Sequence, residues 1–101
     1  MNKVIITAKD SITIPLETID KTIGDFIWGN GVEFTNNKIE NNKLFLYVFD
    51  MGENNTENMI NNKGFKKILI TLGIVVETIS LESNIPKEEE FRAACNDEDN
   101  C

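Results

Sequence analysis

Histidine is absent from this chain of 101 residues, and that gap removes more chemistry than any residue present adds. There is no imidazole to act as a general base near neutral pH, to ligate a metal, or to activate a serine or cysteine nucleophile. Cysteine is nearly as scarce: Cys95 and Cys101 are the two, separated by five residues in a polar stretch. Neither a disulfide framework nor a Cys-x-x-Cys metal knuckle can be assembled from them, so free thiols are expected. A phosphate-cradling loop is missing as well. Gly29-Asn30-Gly31 has two glycines where a dinucleotide fingerprint needs three, and it follows a helical stripe where the fingerprint must follow a strand. It reads as a turn.

Long apolar runs are also lacking. Met-Asn-Lys-Val-Ile-Ile-Thr at the start holds nothing like the roughly 7–15 apolar residues of a secretory signal, and nowhere is there the ~20-residue run that spans a bilayer. The expectation is a cytoplasmic protein. Basic charge is outnumbered: ten Lys and Arg face seventeen Asp and Glu, a net −7. The excess sits at one end, where Glu77, Glu82, Glu88, Glu89, Glu90, Asp97, Glu98 and Asp99 face only Lys87 and Arg92, or −6 from residue 77 onward. Such a chain repels phosphate backbones, so direct nucleic-acid binding would need a local patch such as Lys63, Lys66 and Lys67. Three lysines at this spacing read as a solvated helix face, and no nucleic-acid partner is expected.

The length suits one two-layer core, and 41% apolar residues with 27% charged is an ordinary globular composition. Residues 4–8, Val-Ile-Ile-Thr-Ala, form a β-branched run expected to be a strand buried on both faces. Residues 11–14 either pair back as a hairpin arm or lead into a helix. Pro15 suits a helix start, and Leu16, Ile19, Ile23, Phe26 and Ile27 recur at helical spacing, predicting a helix over 15–28. Strand-like alternation from Val32 toward Glu40 is followed by Asn41-Asn42, a hairpin turn. Leu44 to Phe49 is apolar throughout and predicts a central strand covered on both sides. Thr56 is the candidate N-cap of a second helix marked by Phe65, Ile68, Leu69 and Leu72 and ended by Gly73. Val75, Ile79 and Leu81, with Glu77 and Ser80 between, then predict a strand with one wet face.

Strand, helix, strand, strand, helix, strand is the order of a ferredoxin-like βαββαβ two-layer α+β sandwich, in which the first and third strands lie inside the sheet. The alternative is an antiparallel meander, with a hairpin over 4–14 and helices on one side. Residues 1–83 would form the domain. Asn84-Ile85-Pro86 would start a short acidic helix to about residue 96, with Phe91, Ala94 and Cys95 on one face, and 97–101 would be a frayed tail.

Few residues carry candidate chemistry. Asp10 and Asp50 each follow an apolar strand, where carboxylates can hold Mg²⁺, but antiparallel neighbours would put them at opposite ends of the sheet. No catalytic residue, metal or cofactor is therefore expected. Trp28, the only tryptophan, is either a lid on its own core or a contact residue. Glu88, Glu89 and Glu90 either suit the positive end of a helix dipole or steer a basic partner.

Phe49-Asp50, Ile85-Pro86 with Glu88, and Phe91, Ala93, Ala94 and Asn96 in the pattern F-x-A-A-x-N resemble small phage-encoded anti-CRISPR proteins of the type II-C Cas9 inhibitor kind, over the half of the chain from Leu44 onward. The resemblance implies an inhibitor in the host cytoplasm that occupies a basic nuclease surface without chemistry. The expected function is thus an acidic protein-binding inhibitor, with Trp28, Glu88, Glu89, Glu90 and Phe91 as partner-binding candidates. The alternatives are an antitoxin or regulatory subunit for a basic partner, and a weak metal-dependent nuclease using Asp10 or Asp50.

Overall fold

The computed structural model describes residues 1–85. The expected acidic helix from Pro86 onward, its candidates Glu88, Glu89, Glu90 and Phe91, and the tail at 97–101 lie outside the described residues. Among the described residues, four strands and three helices make a mixed α+β domain: β1 (Asn2–Ala8), α1 (Leu16–Gly29), β2 (Val32–Glu40), β3 (Lys43–Asp50), α2 (Asn55–Ile60), α3 (Lys63–Thr71) and β4 (Val76–Glu82). The sheet is antiparallel throughout in the order β2-β3-β1-β4, so β1 and β3 lie inside and β2 and β4 at the edges. This order excludes the meander, in which neighbours in sequence would be neighbours in the sheet. Residues 9–14 are not a strand either. They are held in a connecting loop by Lys9 N–H on the Val75 carbonyl at 3.0 Å and Ile12 N–H on the Asn41 carbonyl at 2.8 Å.

One face of the sheet carries the core. Val4, Ile6 and Ala8 of β1 and Leu44, Leu46 and Val48 of β3 are buried against Ile19, Ile23 and Ile27 of α1, Met59 of α2 and Phe65 and Leu69 of α3. Each fully buried side chain of this kind contributes about 1.5–3 kcal/mol from removal of apolar surface from water. The expectation that β1 and β3 are buried on both faces is met in full on this face, where the three described helices pack, and only in part on the other. On the other face Ile5, Thr7, Phe45 and Phe49 are half-buried, and Tyr47 is 3% exposed. Lys3 lies with its Nζ 4.9 Å from the centre of the Phe45 ring and 5.9 Å from that of Tyr47. A fully apolar strand can therefore sit in a two-layer domain, with aromatic rings and a lysine stem sharing the second face.

Turn chemistry fixes the connections. Asn41 takes the left-handed backbone (φ 54°) in the two-residue turn between Glu40 and Lys43, as its short polar side chain permits. Gly73 (φ 86°) ends α3 with its N–H on the Ile70 carbonyl, while the Ile74 N–H reaches back to Leu69 at 3.0 Å. That double bond is the Schellman motif, and it brings buried Ile74 against the helix end.

The second helix differs from its expected course. Asn62, with extended backbone, accepts the Gly64 N–H at 2.8 Å and so caps a new helix, which splits the expected single element into α2 and α3. Thr56 is no N-cap: it lies inside the first turn of α2 and is fully buried. Leu16, first in the apolar stripe of α1, is exposed at the helix start. A register shift between Thr7 and Ala8 pairs Ala8 with Val76, which turns Val76 toward the core and leaves Val75 outside, contrary to the simple alternation.

Candidate functional site

The end of the sheet where β2 begins and β3 finishes holds two of the five exposed large apolar side chains among the described residues, Trp28 and Met51. α1 stops here because Asn30 turns its side-chain amide onto the Phe26 carbonyl at 2.7 Å, and Gly31 follows in the left-handed region (φ 74°). The Gly31 N–H donates to the Trp28 carbonyl and its own carbonyl accepts from Met51 N–H at 2.8 Å. The Asn55 side-chain amide donates to that same carbonyl at 2.8 Å. Gly31 is thus a knot joining the end of α1, the end of β3 and the start of α2, and a Cβ there would collide with the Asn55 amide.

Trp28 and Met51 flank this knot, 64% and 50% exposed. Trp28 is therefore not a lid on its own core, the structural role the sequence allowed it. Asp25 precedes it by one turn of α1, and Glu33, Asp50 and Glu53, all exposed, stand on the adjoining segments. Exposed tryptophan costs water-ordering at an apolar ring and is over-represented among residues that dominate binding energies. The arrangement can insert a large ring into an apolar pocket while the carboxylates face a basic rim.

Asp50 has an internal task. Its carboxylate accepts the Thr56 N–H at 2.9 Å and also the Thr56 hydroxyl, while the Asn2 side-chain amide donates to that hydroxyl oxygen at 3.3 Å. This chain ties α2 to the ends of β3 and β1. Asp10 lies at the far end: the register running from Asn2 opposite Val48 to Thr7 opposite Lys43 puts the ends of β1 and β3 on opposite sides of the sheet. The two aspartates are not brought together, and among the described residues no group of three His, Cys, Asp or Glu is placed to hold a metal ion. Lys63, Lys66 and Lys67 are all exposed on α3. No helix among the described residues is long and apolar enough to cross a membrane.

Burial raises the Asp20 carboxyl above the ordinary value; the hydrogen bond donated by Asn37 opposes the rise and the charge of Glu17 adds to it. Asp20 faces β2 across the α1 interface and not the Trp28 end. Sequence reasoning missed Met51, and it missed Ile70 and Val75, exposed at 66% and 55% beside β4. Ile70 could have been found, since it falls outside the stripe of Phe65, Ile68, Leu69 and Leu72 on an otherwise polar helix face. Met51 and Val75 carry no such signal, because their exposure depends on where the strands end. Comparison with protein-family profiles, curated proteins and solved structures returns no match.

Proposed function

We propose that this chain is a protein-binding domain that acts by occupying a basic surface of its partner, without chemistry of its own, and that the Trp28 end is its docking face. The observation that carries the proposal is a tryptophan 64% exposed and a methionine 50% exposed, both bonded through their backbones to Gly31, with exposed acidic residues on the adjoining segments. A domain with apolar residues to spare leaves single ones outside without consequence; a Trp and a Met both tied by their backbones to Gly31 are placed to act on one partner together. The anti-CRISPR resemblance gives this binding a biological setting, inhibition of a host defence nuclease, with the acids of residues 86–101 adding long-range attraction. The strand order and the inside position of β1 and β3 support a ferredoxin-like reading of the sandwich, and that fold hosts many functions, so the proposal rests on the surface and not on the fold.

The test is co-purification of tagged full-length chain from host lysate, followed by binding measurements on the partner identified. Trp28→Ala should weaken the complex by at least about 2 kcal/mol, roughly thirtyfold, with the melting temperature unchanged. A partner that binds Trp28→Ala as tightly as the parent removes the docking face. A partner that is a basic toxin makes the chain an antitoxin. DNA or RNA cleavage in Mg²⁺ that is lost in Asp50→Asn overturns the binding-only reading.

A further inference from the structure

We propose that residues 86–101 dock on the helix-free face of the sheet and cover Tyr47, so that Phe91 is a core residue of this domain and not a partner-binding one. The proposal does not rest on the Trp28 docking face.

One row of side chains crosses that face. Lys3 stands opposite Glu82 on one side and Tyr47 on the other, and Tyr47 stands opposite Asn36. Residues directly opposite share a face, so these four lie together away from the three described helices, with Ile5, Phe45 and Phe49 beside them. Neighbours in a sheet stand next to a side chain and not above it, and a tyrosine is as tall as any of them. Tyr47 is nonetheless 3% exposed. The side-chain amide nitrogen of Asn36 is also sealed from water, and no described residue accepts its hydrogens. A buried donor without an acceptor is costly, so the cover over Tyr47 should bring one. That cover is small. Thr78, Ser80 and Glu82 of β4 are exposed, as are Glu40 and Lys43 at the far end of the sheet.

Three points name the occupant. Tyr47 is buried within the single chain, which neither a foreign partner nor a second copy explains. The described chain also ends beside the row: the Ile85 N–H donates to the Met1 carbonyl at 2.9 Å, two residues from Lys3, and sixteen residues follow. A helix over residues 86–96, as the sequence predicts, is about 16 Å long, against roughly 14 Å across four strands. Phe91, Ala94 and Cys95, lastly, give that helix an apolar side to lay on the rings. Charge does not choose, since Lys3, Lys38 and Lys43 share the face with Glu33, Glu40 and Glu82. A tethered segment needs no such help, because its local concentration is on the order of millimolar.

Tyr47 is the only tyrosine, so its nitration by tetranitromethane, read by mass spectrometry on the full-length chain, reports the cover by itself. Nitration should be at least about tenfold slower than in the urea-unfolded chain; Phe91→Ser should speed it at least about tenfold over the parent, and Phe91→Leu should leave it slow. Amide signals of Ile23 and Phe65 should stay in place in Phe91→Ser, which separates loss of the cover from unfolding. In the isotopically labelled parent, nuclear Overhauser contacts should join the Phe91 ring to Tyr47 and Phe45 within one molecule, a readout that needs no variant. Nitration of the folded parent as fast as the unfolded chain overturns the proposal, as does slow nitration of a folded Phe91→Ser. Contacts found only between differently labelled chains would make a second copy the occupant. A single-stranded oligonucleotide that shifts Phe45 and Tyr47 of the full-length chain would make the face a stacking platform open to nucleic acid, and overturn it equally.

Discussion

The two edges of the sheet are finished to different degrees. Along β2 six consecutive residues from Phe34 to Ile39 are half-buried, and α1 lies closely against the strand, with Asn37 donating to Asp20 across the interface. Along β4 four of seven residues are exposed, and the inward side chains share their space with an open groove. The difference follows from the helices. α1 has fourteen residues and three fully buried isoleucines, enough to cover an edge, while Asn61-Asn62 breaks the second helical stretch into pieces of six and nine residues. The shorter pieces fill the middle, where Phe65 stacks on Phe26 with ring centres 6.0 Å apart, and do not reach over β4. A helix break written in two asparagines therefore decides which edge the described helices leave less covered.

The largest effect that can break this comparison is in the core beneath each edge. Ile27→Ala, on the α1 side, removes a fully buried side chain whose neighbours cannot collapse onto the gap, and should cost about 2–5 kcal/mol. Ile79→Ala, on the half-covered side, should cost only about 1 kcal/mol, since its cavity opens to the groove. Chemical denaturation of both variants checks this. Equal losses would mean that the β4 side is as closely packed as the β2 side.

Next in size is the tie that holds α2 in place. Asp50→Ala leaves the Thr56 N–H and hydroxyl without their acceptor at a fully buried residue, a loss of about 1–3 kcal/mol. Asp50→Asn keeps an acceptor oxygen and should recover much of it. Denaturation of the three proteins side by side measures the difference; if both variants match the parent, the tie does not hold α2.

The two glycine turns give a sharper contrast at lower cost. Gly31→Ala on the α1–β2 side meets both a left-handed backbone and the Asn55 amide, whereas Gly73→Ala on the α3–β4 side meets the backbone cost alone, with nothing within 4 Å of the new Cβ. Gly73→Ala should lose about 1 kcal/mol and Gly31→Ala clearly more. Thermal melts would show the order, and its reversal would place the tighter junction on the β4 side.

Much of this architecture was legible in the chain. Periodicity places α1, because Ile19, Ile23 and Ile27 repeat at four-residue spacing and all three are buried. The Asn41-Asn42 turn and the glycine after α3 are legible because few residues tolerate a left-handed backbone. The split of the second helix was not, since Asn61-Asn62 is compatible with a helix interior until Asn62 is seen to cap Gly64. Nor was the placing of the three described helices on one face of β3: an apolar run states that a surface avoids water but not which atoms shield it. The candidate site was half visible. Trp28 is conspicuous by type, yet its exposure is set by the Gly31 knot, which joins residues more than twenty positions apart in the chain.

The smallest effect concerns Asp20, on the finished side. Because its pKa is raised in the fold, chiefly by burial, the folded state prefers the protonated carboxyl. The stability this confers is fully present below the unfolded value, ordinarily about 3.9, and is lost as pH rises through the folded value. At neutral pH the ionised group thus opposes folding, partly offset by the hydrogen bond from Asn37 and increased by its neighbour Glu17. Asp20→Asn keeps an oxygen for Asn37 and cannot ionise. It should be slightly more stable than the parent at pH 7, by no more than about 0.5 kcal/mol because the site is solvent-screened, and the gain should vanish under acid conditions where Asp20 is already neutral. Urea midpoints for both proteins across the acid-to-neutral range test the sign. A variant less stable than the parent at neutral pH would mean that the charge on Asp20 strengthens the bond to Asn37 by more than burial penalises it, and α1 would then be held to β2 by a charged contact and not chiefly by its isoleucines.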